Sequence, residues 1–106
     1  MYYNTKKYNV VVTYLEHSRK IVDNWEVVLY CKGRVLNDDE TLVDYNTVET
    51  FIYDVVGSVS GLDFNVDFKP TMENMAKWIC EQIVQCYKVE INTVNKLSVC
   101  YEEEDI

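Results

Sequence analysis

A chain of 106 residues, 48% hydrophobic and 26% charged, carries enough apolar material for one core and is too short for two domains. Eighteen acidic against ten basic residues give a formal charge of -8, which opposes nonspecific nucleic-acid binding because phosphate is repelled instead of neutralised. No run approaches the roughly 18 apolar residues of a membrane span, and the polar start Met1-Tyr2-Tyr3-Asn4-Thr5-Lys6-Lys7 is no signal peptide. These features define one cytoplasmic domain over residues 1–106 as the expectation, with an acidic tail at 102–106.

In chain order, Tyr8, Val10, Val12 and Tyr14 alternate with Asn9, Val11, Thr13 and Leu15, the period of a strand over 8–16. A second strand follows, in which Trp25, Val27, Leu29 and Cys31 alternate with Glu26, Val28, Tyr30 and Lys32. Lys32-Gly33-Arg34 predicts a bulge or bend near its end. Asn46-Thr47-Val48-Glu49 has the form of a capping box, so a helix is expected to start at Asn46. Its apolar stripe is Val48, Phe51, Ile52, Val55 and Val56, and Gly57 stops it. Pro70-Thr71 opens the second helix, since proline's missing N–H costs nothing at a helix start and threonine can cap. Met72, Met75, Ala76, Ile79, Cys80, Ile83 and Cys86 form its expected buried stripe. From Lys88 the period returns to two: Val89 and Ile91, a turn near Val94-Asn95-Lys96, then Leu97, Val99 and Tyr101.

The order is therefore ββααββ, an α+β layer in which an antiparallel four-stranded sheet carries two helices on one face. Such a sheet alone leaves two edges and one face uncovered, so self-association is physically reasonable. The cysteines Cys31, Cys80, Cys86 and Cys100 show no Cys-x-x-Cys spacing, which offers neither a zinc knuckle nor a thioredoxin-type motif. They read as reduced, mostly buried thiols, with Cys80 and Cys86 six apart on one predicted helix. The acidic clusters Asp38-Asp39-Glu40 and Glu102-Glu103-Glu104-Asp105 read as solvated loop and tail; the sharper reading is a charge mimic facing a basic protein partner.

The stretch Pro70-Thr71-Met72-Glu73-Asn74, with Leu62-Asp63-Phe64-Asn65 before it and Glu90-Ile91-Asn92-Thr93 after it, resembles the 6-pyruvoyl/6-carboxytetrahydropterin synthase family. Leu42-Val43-Asp44-Tyr45 and Asn24-Trp25-Glu26-Val27 are also similar to family segments. The resemblance implies the tunnelling fold, in which subunits join edge to edge into a barrel, and typically a hexamer. It also implies a zinc ion on three histidines, a cysteine with an Asp-His pair for proton transfer, and a Glu-Thr pair that anchors the pterin.

This chain departs from that pattern residue by residue. His17 matches the first zinc ligand, but Ile21-Val22-Asp23 occupy the place of the other two, and no cysteine lies between His17 and Asn24. Asp63 matches the family aspartate, while Phe64 stands where its histidine belongs. Asn92 replaces the anchoring glutamate before the retained Thr93, and one acceptor plus one donor suits an adenine-like edge.

The main expectation is a catalytically inactive relative that binds, and sequesters, a small purine- or nucleotide-like heterocycle at an intersubunit pocket. Its residues would be His17, Asp63, Phe64, Thr71, Asn92 and Thr93, with no metal, no cofactor and no catalytic residue. A small, acidic, Tyr- and Asn-rich chain of this kind fits a virus or mobile element. A protein-interaction module using the acidic surface is the alternative. A synthase with a site rebuilt from His17, Asp23 and Asp63, a pterin-synthase-type lyase, is the second alternative.

Overall fold

The computed structural model describes residues 1–94 and 97–104. Strand β1 (Tyr2–Glu16) pairs antiparallel with β2 (Arg19–Gly33), β2 with β3 (Cys86–Thr93), and β3 with β4 (Ser98–Glu102), in the sheet order β1-β2-β3-β4. Between β2 and β3 lie α1 (Tyr45–Phe51), continued as a π-helical segment Ile52–Val56, the one-turn α2 (Leu62–Asn65) and α3 (Met72–Gln82). The α+β class and the antiparallel four-stranded sheet are as expected, with α2 an additional element.

The core lies between the helices and the sheet face formed by Tyr8, Val10, Val12, Trp25, Val27, Leu29, Val89 and Ile91, all buried. Ile52, Leu62, Met75 and Ile79 meet them from the helices. Each large side chain removed from water in this way contributes about 2 kcal/mol. The opposite sheet face carries Tyr3, Val11 and Val22 in the open, interspersed with polar residues.

Several local expectations need correction. β1 begins at Tyr2, six residues earlier than its alternating stretch, because β2 runs on to Gly33 and supplies partners back to Tyr2. The α1 cap is Asp44 and not Asn46: its carboxylate accepts the Thr47 N–H at 3.3 Å and the Thr47 hydroxyl at 2.8 Å. The expected bend follows Gly33, at Arg34 and Val35, and a further irregularity lies between Tyr30 and Cys31; Cys31 pairs with Cys86, so Tyr87 is the extra residue. α3 ends at Gln82, hence Cys86 opens β3 and does not share a helix with Cys80. Of the expected turn at Val94-Asn95-Lys96, the last two residues lie outside the described residues, as do Asp105 and Ile106 of the acidic tail.

Thr71 does cap α3, its hydroxyl accepting the Asn74 N–H at 3.2 Å, while the Asn74 side-chain amide donates to the Lys69 carbonyl at 3.0 Å. Among the described residues no helix is long and apolar enough to cross a membrane.

Candidate functional site

β3 pairs with β2 only from Trp25 onward, so residues 19–24 and their β1 partners project as a two-stranded ribbon. The ribbon turns through His17 and Ser18, with φ of 50° and 65°. Two successive left-handed residues make the tight hairpin turn whose twist matches that of the strands. From Arg19 to Gly33 the chain after the turn is continuous strand, so the hairpin itself carries no longer loop that could bear a nucleophile.

The family's zinc does not fit these residues. His17 is exposed at the turn, and the chain has no second histidine. Asp23 has both carboxylate oxygens engaged, one by the Asn24 N–H at 2.8 Å and the other by the Trp25 indole N–H at 3.3 Å. Val22 points to the opposite side of the sheet from Ile21 and Asp23. Among the described residues no group of three or more His, Cys, Asp or Glu side chains could hold a metal ion.

Beside the ribbon, against the start of α3, lies a cavity of about 310 Å³. Tyr14 and Trp25 form its aromatic wall, their ring centroids 6.3 Å apart and the planes tilted by 39°. Glu16, His17, Lys69, Thr71 and Glu73 provide its polar lining, and Leu97 closes one side. Burial, then the carboxylates of Asp23 and Glu16, push the Tyr14 phenol above its ordinary pKa, so it stays a neutral hydroxyl. This lining can stack a planar ring and accept N–H donors on carboxylates. His17 is its one imidazole and has no hydrogen-bond partner among the described residues, so nothing orients it as a base.

A second cavity, of about 220 Å³, shares Tyr14 and Leu15 with the first and is otherwise lined by Thr13, Lys20, Val59, Ser60, Gly61, Asp63 and Phe64. Phe64 is 81% exposed. Asp63 Oδ2 accepts the Leu15 backbone N–H at 2.6 Å, tying α2 to the outer edge of β1. The same tie needs Gly61: its φ is +85°, and a Cβ there would stand 3.2 Å from the Thr13 carbonyl oxygen. Asp63 thus has a structural occupation independent of any proton transfer.

The expected site residues therefore fall into three places. His17 and Thr71 line the first cavity; Asp63 and Phe64 line the second. Asn92 and Thr93 line neither. Asn92 lies on the uncovered face, where its amide donates to Glu26 Oε1 at 3.2 Å and its oxygen accepts the Ser98 hydroxyl. Thr93 donates its hydroxyl to the Leu97 carbonyl at 3.4 Å. Within one subunit both halves of the Asn92 amide are thus bonded. Sequence reasoning missed Tyr14, Lys69, Glu73 and Leu97 as cavity residues. Tyr14 and Trp25 read as core from their alternation, and only the pairing of β1 with β2 places their rings at an opening.

A four-stranded antiparallel sheet with helices over one face, and a cavity where the β1–β2 hairpin meets the start of a Pro-Thr-x-Glu-Asn helix, defines the class. A family profile described as 6-pyruvoyl tetrahydropterin synthase matches residues 22–105 of the 106, and the chain belongs to that family. No curated protein matches the chain.

Proposed function

We propose that this chain is a catalytically inactive member of the family that binds, and thereby sequesters, a small purine- or nucleotide-like heterocycle. The observation that carries the reading is the first cavity. It keeps an aromatic wall of Tyr14 and Trp25 and a polar lining of Thr71 and Glu73, while the hairpin beside it closes in two residues and carries no proton-transfer loop. A volume of about 310 Å³ is at the small end for ligand pockets, which suits a single heterocycle and calls for a further wall.

That wall is supplied by a neighbouring subunit. β1 and β4 are the two sheet edges, and pairing them between copies buries unmet backbone groups. Asn92 and Thr93 join the site only from such a neighbour. Source in a virus or mobile element and residence in the cytoplasm remain part of this proposal.

Calorimetry and thermal-shift measurement against pterins, purine nucleotides, and cyclic and ADP-ribose-type nucleotides test the reading. At least one heterocycle should bind and raise the melting midpoint, Glu73→Ala and Tyr14→Ala should weaken it, and no pterin should be converted. Silence across the panel sinks the proposal, as does turnover of a pterin precursor.

A further inference from the structure

Away from the cavities, at the opposite end of the sheet, three cysteines from three elements meet. Cys31 lies near the end of β2, Cys80 in the last turns of α3, and Cys86 opens β3. All are buried, at 3%, 1% and 3% exposure. Cys31 is the cross-strand partner of Cys86. Cys80 Sγ also stands 3.5 Å from the Cys86 carbonyl oxygen, and Cys86 Sγ stands 3.4 Å from that of Lys88. Cys100 belongs elsewhere: it is exposed and pairs with Glu90 on the uncovered sheet face.

Three buried thiols around one strand start are more than a core requires, since alanine or valine would fill the space without reactive sulfur. The register adds a covalent possibility. Cys31 and Cys86 are direct partners on adjacent antiparallel strands, and such partners hold their Cα atoms about 4.5–5.5 Å apart, inside the range that a disulfide bridges. The irregularity between Tyr30 and Cys31 brings Cys86 and not Tyr87 opposite Cys31. We propose that Cys86 and Cys31 are a dithiol pair that closes to a disulfide under a peroxide oxidant, stapling β2 to β3.

The chemistry balances with hydrogen peroxide as the two-electron oxidant. The Cys86 thiolate attacks one peroxide oxygen, the O–O bond breaks, and hydroxide leaves to take the proton shed by Cys86, giving a sulfenic acid and water. The Cys31 sulfur then attacks the Cys86 sulfur, the S–S bond forms, and the S–O bond breaks. The departing hydroxyl takes the Cys31 proton as a second water. Cys86 suits the attacking role: the neighbouring Cys31 and then Cys80 thiols stabilise its charge and hold its pKa well below the usual thiol value, while those two are held protonated.

Access runs through the connection above the cluster. Only Ile83, Val84 and Gln85 separate α3 from Cys86, and Val84 is 94% exposed. This short roof is held by the Cys86 N–H to the Ile83 carbonyl at 3.0 Å and the Lys32 N–H to the Gln85 carbonyl at 3.0 Å. Opening those two bonds exposes the Cys86 sulfur to a molecule as small as peroxide.

The test uses the full chain carrying Cys100→Ser, which removes the exposed thiol, treated with hydrogen peroxide in native buffer and mapped by peptide mass spectrometry with and without reductant. The expected result is loss of about two free thiols per chain, a Cys31–Cys86 linked peptide, and a melting midpoint raised by about 10 °C that returns on reduction. A Cys80–Cys86 link, sulfinic acid on isolated cysteines, or full retention of free thiols overturns the proposal. The wild-type core is untouched throughout, so no outcome depends on a core variant folding. Neither does it depend on the ligand, because the cluster lies outside both cavities.

Discussion

The two walls of the first cavity have had different fates. The α3 wall keeps its family pattern, Pro70-Thr71-Met72-Glu73-Asn74, and every retained polar residue whose bonds are visible there has a local structural task. Thr71 accepts the Asn74 N–H, and Asn74 holds the Lys69 carbonyl. The hairpin wall is two paired strands joined by a two-residue turn, and behind it Ile21, Val22 and Asp23 occupy the positions that the family resemblance gives to zinc ligands. Under the proposed loss of activity, residues that serve both fold and reaction persist, and residues that served only the reaction are replaced. Asp63 belongs to the first group through Leu15; Phe64, open to solvent, belongs to the second.

The largest test of this contrast is Trp25→Ala. Trp25 is 1% exposed and holds both the core and the aromatic wall, so its truncation should cost about 3–5 kcal/mol in urea unfolding and abolish any heterocycle binding. A variant that unfolds at the wild-type denaturant concentration would separate the wall from the core and break the comparison.

Alkaline titration probes the core beneath the other end of β1. The Tyr8 hydroxyl is buried without a hydrogen-bond partner among the described residues. Desolvation, followed by the Glu49 charge, raises its pKa from 10.0 to about 12. The folded pKa exceeds the unfolded one, so the stability linked to neutral Tyr8 is complete below pH 10 and is lost as pH rises towards 12. Unfolding followed across that window should show a decline that Tyr8→Phe removes; an unchanged slope in the variant would reassign the decline.

Smaller effects test the structural occupations. Thr71→Ala should cost about 1 kcal/mol through loss of the cap, with Thr71→Ser restoring it. Asp63→Ala strips the acceptor from an exposed edge N–H and should cost about 1 kcal/mol with no other loss, readable in the same unfolding series. The smallest change is expected from Phe64→His: within about 0.5 kcal/mol of wild type, and still without pterin conversion, because among the described residues no cluster of three metal-ligating side chains stands ready to join it. Conversion by that single variant would show that the hairpin wall had lost far less than its residues indicate.

Much of this was legible in the sequence because period and punctuation report local physics. The alternation of Val10, Val12 and Tyr14 marked β1, and Pro70-Thr71 marked the start of α3. What escaped depends on which of several available partners a group takes. Asp44 outcompeted Asn46 as the α1 cap because its carboxylate reaches both Thr47 groups, a matter of local geometry that the Asn-x-x-Glu spacing cannot rank. The resemblance that makes Asn92 a ligand residue does not show that cross-strand register sets Glu26 and Ser98 on either side of it. Cys80 and Cys86 were assigned to one helix because a buried stripe of the right spacing continued past Gln82, where the chain had already turned into β3.

The Asp63 bond to Leu15 also bears on how this protein avoids aggregating. Tyr8-Asn9-Val10-Val11-Val12-Thr13-Tyr14-Leu15 is uncharged, rich in β-branched and aromatic residues, and lies on an edge strand, the makings of a cross-β seed. Gly57, whose missing Cβ leaves room against Val10, Gly61 beside the Thr13 carbonyl, and Asp63 on the Leu15 N–H run the 57–63 segment along that edge. Only the lysine-bearing first half of β1, with Lys6 and Lys7, is left open to another strand. Any sheet extension is thereby steered to the charged half, where an acidic edge is welcome and a second apolar β1 is not.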